Sequence, residues 1–150
     1  MKKILLVVSV ICLTITLIGC NNINERRAEN TLEDYYQALI KEDYENAFEQ
    51  LYIYEDDSSK QSSLSKEEAK KFYLEKIKFL KEENYKFKGY NITELEYEDG
   101  HSFWHHIDIE IEQNGETFNY KEIAYYQDGK LKIDGEDPYI LYRDGKMAME

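Results

Sequence analysis

The stretch SFWHHIDIEIEQNGETFNYKEIAYY, residues 102–126, decides the architecture. Its first half alternates strictly. Phe103, His105, Ile107, Ile109 and Ile111 point one way; Trp104, His106, Asp108, Glu110 and Glu112 point the other. That is the period of a strand with one buried and one solvated face. Asn114-Gly115 then supplies a two-residue hairpin turn. The turn pairs Ile111 with Phe118 and Ile109 with Tyr120. Continued unbroken, the register sets Glu122 opposite Ile107. A one-residue bulge near Lys121–Glu122 restores apolar pairing, with Ile123 opposite Ile107 and Tyr125 opposite His105, and is predicted on that ground.

Working outward, two more Asp-Gly turns flank this hairpin. Residues 98–100 and 127–129 suit three-residue loops with glycine in the left-handed position. They pair Leu95 with Phe103 and Tyr125 with Leu131. The result is a four-stranded meander near 90–97, 102–112, 117–126 and 130–134, with an edge strand added around Tyr139–Tyr142. Upstream the period is helical. Ala28, Leu32, Tyr35, Tyr36, Leu39 and Ile40 share one face. Asp43 caps a second helix carrying Tyr44, Ala47, Phe48 and Leu51. After an acidic, serine-rich loop at 55–63, Ser65 and Glu68 form a capping box, with Leu64 and Ala69 as its staple. The third helix carries Ala69, Phe72, Tyr73, Ile77 and Leu80 and fades near Asn84. Helices followed by an antiparallel meander make an α+β domain: three N-terminal helices packed on a curved four-stranded sheet.

The chain of 150 residues holds 19 Lys+Arg against 31 Asp+Glu, a net charge of −12. Without Lys2 and Lys3 the balance is 17 − 31 = −14. Such a surface repels phosphate backbones, which argues against nucleic-acid binding. Disordered acidic chains are poor in aromatics; 14 Tyr, 6 Phe and one Trp indicate a packed core instead.

Lys2 and Lys3 precede an apolar run from Ile4 to Ile18. As a helix it reaches ~22 Å, short of a ~30 Å hydrocarbon core, and it reads as a signal-peptide helix. Cys12, the one available disulfide partner of Cys20, leaves with that leader. Leu17, Ile18, Gly19 and Cys20 resemble the lipobox of bacterial lipoproteins, although Ile18 stands where Ala, Ser or Thr is usual. The resemblance implies lipidation of Cys20, cleavage before it, and a lipid-anchored place on the extracytoplasmic side of a cell membrane, such as a Gram-positive cell surface. Two acyl chains suffice for stable anchoring. The expected division is 1–19 leader, 20–25 lipidated cysteine and tether, 26–135 domain and 136–150 C-terminal tail.

Three further motifs resemble nuclear transport factor 2-like domains, also called SnoaL-like or cystatin-like. They are YYQALIKEDYENAFEQL at 35–51, SKEEAKKFY at 65–73 and YYQDGKLKIDG at 125–135, the last with Leu131 where the family often has Trp. The resemblance implies a cone-shaped cavity between helices and sheet, where enzymes of the superfamily place Asp, His and Tyr. It also points to small secreted lipoproteins of this form.

Fold does not give function, so the residues must. His105 is the titratable residue expected on the inward face. Tyr125 is its expected cross-strand neighbour, and Tyr73 or Tyr36 approaches from the helices. Histidine with tyrosine suits acid–base work, but the assigned inward face offers no carboxylate. A metal site from His101, His105 and His106 is disfavoured: 105 and 106 face opposite ways, and 101 and 105 lie about 13 Å apart. Residues 54–64 lack the glycine and closing glutamate of a calcium loop. No cofactor motif is present. On the outer face the expected registers set Trp104 beside Tyr126, with His106 next along. An exposed aromatic pair is a candidate partner-binding surface, including for a homodimer, unless Tyr139, Ile140 and Tyr142 fold over it. The sequence thus favours a non-enzymatic binding module at the cell envelope. The alternative is a small-molecule-binding protein or acid–base enzyme using a cone cavity around His105 and Tyr125.

Overall fold

The computed structural model describes residues 24–98 and 102–148. The expected signal helix, Cys20 and His101 lie outside the described residues. The described part of helix α1 covers 24–40. It is followed by α2 (Tyr44–Gln50), α3 (Lys66–Glu82), β1 (Tyr85–Glu98), β2 (Ser102–Gln113), β3 (Glu116–Gln127), β4 (Lys130–Gly135) and a short 3-10 turn (Ile140–Tyr142). The strands form one antiparallel sheet in sequential order. Three helices on an antiparallel sheet make the expected α+β fold. Since α1 already includes residues 24 and 25, those two are helix rather than tether.

The helices follow their periodicity. Ala28, Leu32, Tyr35, Tyr36 and Leu39 of α1 are buried. Glu42 turns the chain with a φ of 55°, and the Asp43 carboxylate accepts from the Asn46 N–H at 3.3 Å to start α2. At α3 the Ser65 hydroxyl accepts from the Glu68 N–H at 3.3 Å, while Glu68 accepts from the Ser65 N–H at 3.0 Å. Both orphan donors of that helix start are thereby satisfied. Ala69, Tyr73, Ile77 and Leu80 face the core, and so does Lys76.

The sheet departs from expectation in its registers. β2 and β3 pair without a bulge from Gln113↔Glu116 to Phe103↔Tyr126. Glu122 therefore does stand opposite Ile107, Ala124 opposite His105, and Tyr125 opposite Trp104. The expected bulge is absent because Arg143 meets the Glu122 carboxylate inside the domain. With that partner the ladder stays continuous and the charge is not left alone. Asp128 and Gly129 have φ of 52° and 82° and form a two-residue turn closed by Gln127↔Lys130. Two positive φ values in succession match the twist of a tight hairpin. Leu131 consequently pairs with Tyr126, not Tyr125. The β1–β2 pairing sets Leu95 opposite His105 rather than Phe103, which keeps Leu95 on the expected side. β1 itself carries two register shifts, at Phe87/Gly89 and Ile92/Glu94.

The segment after β4 is neither a tail nor an edge strand. Asp137, Ile140, Arg143, Asp144 and Met147 are buried. Residues 51–54 run between β4 and this segment through parallel bridges Leu51↔Leu131 and Tyr54↔Lys146. The approach is close: a Cβ on Gly145 would lie 1.9 Å from the Tyr52 carbonyl oxygen, so only glycine fits.

Candidate functional site

The sheet has two faces, and each was expected to hold a site. The inner face comes first. His105 is 1% exposed. Neither ring nitrogen has a partner in hydrogen-bond geometry among the described residues. Burial pushes its pKa below the ordinary histidine value, and the neighbouring Ala124 main chain and Glu25 offset part of this. The imidazole is therefore held neutral. Tyr73 is fully buried, packs against Phe48 at 5.5 Å between centroids, and also leaves its hydroxyl without a partner. Its phenol is pushed well up by burial, and the charges acting on it include Arg143 and Asp144. Tyr125 is on the other face. The three expected cavity residues are therefore not brought together.

What the interior does hold is a charged network that includes a carboxylate the sequence reading placed elsewhere. Arg143, wholly buried, donates through Nη2 to Glu122 Oε1. The same nitrogen donates to Asp137 Oδ2 at 2.7 Å. Its Nε donates to the Tyr85 hydroxyl at 3.0 Å, which in turn donates to Asp137 at 2.6 Å. Tyr36 donates to Glu122 Oε2 at 2.8 Å, and Tyr35 to the Arg143 carbonyl at 2.9 Å. Alongside, Lys76 donates to Asp144 at 3.0 Å and to the Lys146 carbonyl at 2.6 Å.

Burial sets the direction of most shifts here. It raises the Tyr35 hydroxyl to about 12 and lifts Tyr36 and Tyr85 too. It raises Asp137, with Tyr85 opposing, and Asp144, with Lys76 opposing. It lowers Lys76, with Asp144 opposing. Burial also works against the Arg143 charge, but Tyr85, Tyr35 and Tyr36 outweigh it and keep the guanidinium firmly protonated. These groups answer one another. With Tyr35, Tyr36, Phe103, Ile107 and Ile109 filling the space around them, the inner face reads as core.

The outer face is different. One ladder row crosses it as Glu96, Trp104, Tyr125 and Lys132. The rings of Trp104 and Tyr125 meet at 4.5 Å between centroids. Lys132 Nζ lies 4.5 Å from the Tyr52 ring centroid and 5.9 Å from that of Tyr125, and donates to the Ser58 carbonyl at 2.6 Å. Tyr126, expected beside Trp104, instead faces inward and is 9% exposed. The shift of one residue follows directly from the missing bulge. His106 does lie on the outer face, next to Ile123.

Trp104, Tyr125 and Lys132 line a cleft of about 520 Å³ together with Tyr54, Asp56, Ile133, Ile140 and Leu141. The C-terminal segment therefore borders Trp104 through Ile140 and Leu141. Tyr142 turns away to stack on Phe79 at 4.3 Å, and Tyr139 packs on Tyr85 at 5.7 Å. An aromatic floor with a polar rim is equipped to bind, since few ring torsions need ordering.

No protein-family model matches the sequence, and no curated protein shows significant similarity to it. Among solved structures the fold is similar to that of a candidate polyketide cyclase from Xanthomonas campestris pv. campestris. The TM-score is 0.53 at 13% identity, over 80% of this chain and 96% of that one. At so low an identity the likeness shows the fold alone.

The residues that sequence reasoning missed are Glu122, Asp137, Arg143, Asp144 and Lys76. Glu122 was visible in the unbroken Asn-Gly register. Arg143 had no signal, because a 3-10 turn and extended chain carry no periodicity to read.

Proposed function

We propose that the protein is a lipid-anchored extracytoplasmic lipoprotein whose SnoaL-like domain acts as a non-enzymatic binding module at the cell envelope. The observation that carries this reading is the contrast between a filled interior and an open outer cleft floored by Trp104 and Tyr125. The anchor rests on the leader and the Leu17–Cys20 motif. Residues 24 and 25 are already helical, so the tether after Cys20 is at most three residues, or no more than roughly 10 Å of chain. A partner must then be met close above the bilayer.

Cross-linking on intact cells, followed by mass spectrometry, tests the module. A specific envelope partner captured by the wild type and lost in Trp104→Ser supports it. Capture that ignores this substitution, or no specific capture, overturns it. A second copy as partner would appear as a dimer that Trp104→Ser dissociates. Cys20→Ser tests the anchor separately: it should release the protein or leave the leader uncut, and unchanged size and membrane fractionation would refute anchoring.

A second reading places a small ligand inside the cone. It is supported by the interior polar atoms without partners: both His105 nitrogens, the Tyr73 hydroxyl and Arg143 Nη1. It requires the segment around Arg143 to give way. An acid–base enzyme pairing His105 with Tyr125 has no such support, since the two lie on opposite faces.

A further inference from the structure

The outer face carries a second group of side chains, assembled by an irregularity in β1. Ile92 pairs with Ile107, but Glu94 pairs with His106, so Thr93 is an extra residue in the strand. The Thr93 hydroxyl donates to the His106 carbonyl at 3.1 Å and pins the bulge. A one-residue bulge exchanges the two faces for everything beyond it. Without it Glu94 and Glu96 would share the side of Ile92. With it they share the side of His106.

One ligand atom from each of Glu94, Glu96 and His106 lies within 4.8 Å of the other two. His106 Nε2 stands 3.4 Å from Glu96 Oε1. That nitrogen is hidden from solvent yet has no partner in hydrogen-bond geometry among the described residues. Neighbouring like charges on one sheet face destabilise it. Among the described residues no lysine or arginine forms an ion pair with either glutamate. The group thus combines an imidazole nitrogen that makes no hydrogen bond and only a 3.4 Å contact with Glu96 with two carboxylates that no described lysine or arginine pairs.

We propose that Glu94, Glu96 and His106 form a binding site for a divalent first-row transition cation. One imidazole nitrogen and two carboxylate oxygens suit a borderline ion such as zinc better than calcium, which takes oxygen alone. Bonds of ~2.0–2.2 Å require the donor atoms to close to roughly 3.3 Å. Glu94 and Glu96 are exposed and His106 half-buried, so rotation of side chains supplies that closure without moving the strands. Water completes the coordination on the solvent side. The bound cation ties the end of β1 to β2 and neutralises an acidic edge beside Trp104, whose cross-strand partner is Glu96.

The test uses the metal alone. The EDTA-treated protein is titrated with zinc chloride by calorimetry, and its unfolding midpoint is recorded with and without zinc. One zinc per chain and a raised midpoint are expected. His106→Gln and Glu96→Gln should each weaken binding by at least about 10–100-fold, the loss that even an outer-shell partner can cause. They should also abolish the midpoint shift while leaving the metal-free circular dichroism unchanged. His101→Gln and Asp56→Asn should bind as the wild type does. The proposal is overturned by an absence of zinc binding, by binding that survives His106→Gln and Glu96→Gln, or by binding lost in His101→Gln. Calcium bound as tightly as zinc would overturn the assigned cation class.

Discussion

Glu122 and Tyr125 sit three residues apart on β3, on opposite faces of the sheet, and their surroundings could hardly differ more. Glu122 is 1% exposed and meets Arg143 and Tyr36. Tyr125 packs on Trp104 at the wall of an open cleft. The inner face takes charges and pairs them with one another; the outer face sets aromatic rings along an open cleft. A polar residue inside a sheet domain is therefore weak grounds for a site. The informative question is whether neighbouring groups already satisfy it.

The largest expected effect tests the inner half of this contrast. Arg143→Met leaves Glu122 and Asp137 buried without their cation. Breaking a buried pair in this way costs about 3–5 kcal/mol. Urea unfolding should show that loss, and Glu122→Gln added to Arg143→Met should recover part of it. A loss under about 1 kcal/mol would mean that water reaches the network, which would reopen the cone as a binding space.

His105 gives a smaller effect of opposite sign. A buried group with no partner costs about 1–3 kcal/mol, so His105→Leu should stabilise the domain by an amount within that range. The pH dependence follows from the same residue. Burial lowers the folded-state pKa of His105 below the ordinary 6.5. As pH falls through 6.5 the unfolded chain takes up a proton that the folded chain refuses, so this contribution favours folding at neutral pH and is lost toward acid. Unfolding midpoints measured across that window should fall less steeply for His105→Leu than for the wild type. Parallel curves would show that the imidazole has a partner.

These two residues also show what the sequence could and could not reveal. The helices and strands were legible, because α1, α3 and β2 each bury one face and write that face as a period in the chain. Inward placement of His105 followed from the alternation of β2. The outward partner of Trp104 was missed by a single position, since apolar pairing favoured a bulge that would bury Ile123. What reversed that preference was Arg143, 21 residues beyond Glu122 and in a segment with no repeat. The irregularity at Thr93, one of two in β1, likewise decides which face Glu94 and Glu96 occupy, and nothing in the local alternation marks it. Long-range charge pairing and bulges are tertiary choices. They shift register without leaving a periodic trace.

On the outer face the energies are smaller still. A double-mutant cycle on Trp104→Ala and Tyr125→Ala should give a coupling of about 0.5–1.5 kcal/mol, the range for an aromatic pair. Binding of the envelope partner should fall far more than stability does. If the cycle instead matched the loss at Arg143, the pair would be core, and the distinction between the two faces would fail.

Lys132 is the finest probe of that distinction, because it borders the cleft and also clamps it. Its ammonium lies over Tyr52 at 4.5 Å and reaches the Ser58 carbonyl, so it fastens the 51–58 segment to β4. A cation–π contact at a partly exposed site is worth about 0.5–1 kcal/mol, and Lys132→Met keeps the aliphatic stem that covers the ring. Thermal unfolding should therefore register a loss of that size at most. Hydrogen exchange should quicken at the amides of 55–59 and stay unchanged in β2 and β3. Such a local response would mark Tyr54, Asp56 and Ser58 as the adjustable part of the cleft lining, set against Trp104 and Tyr125 on the sheet. A loss spread through the whole sheet would instead make Lys132 part of the same packed unit as Arg143.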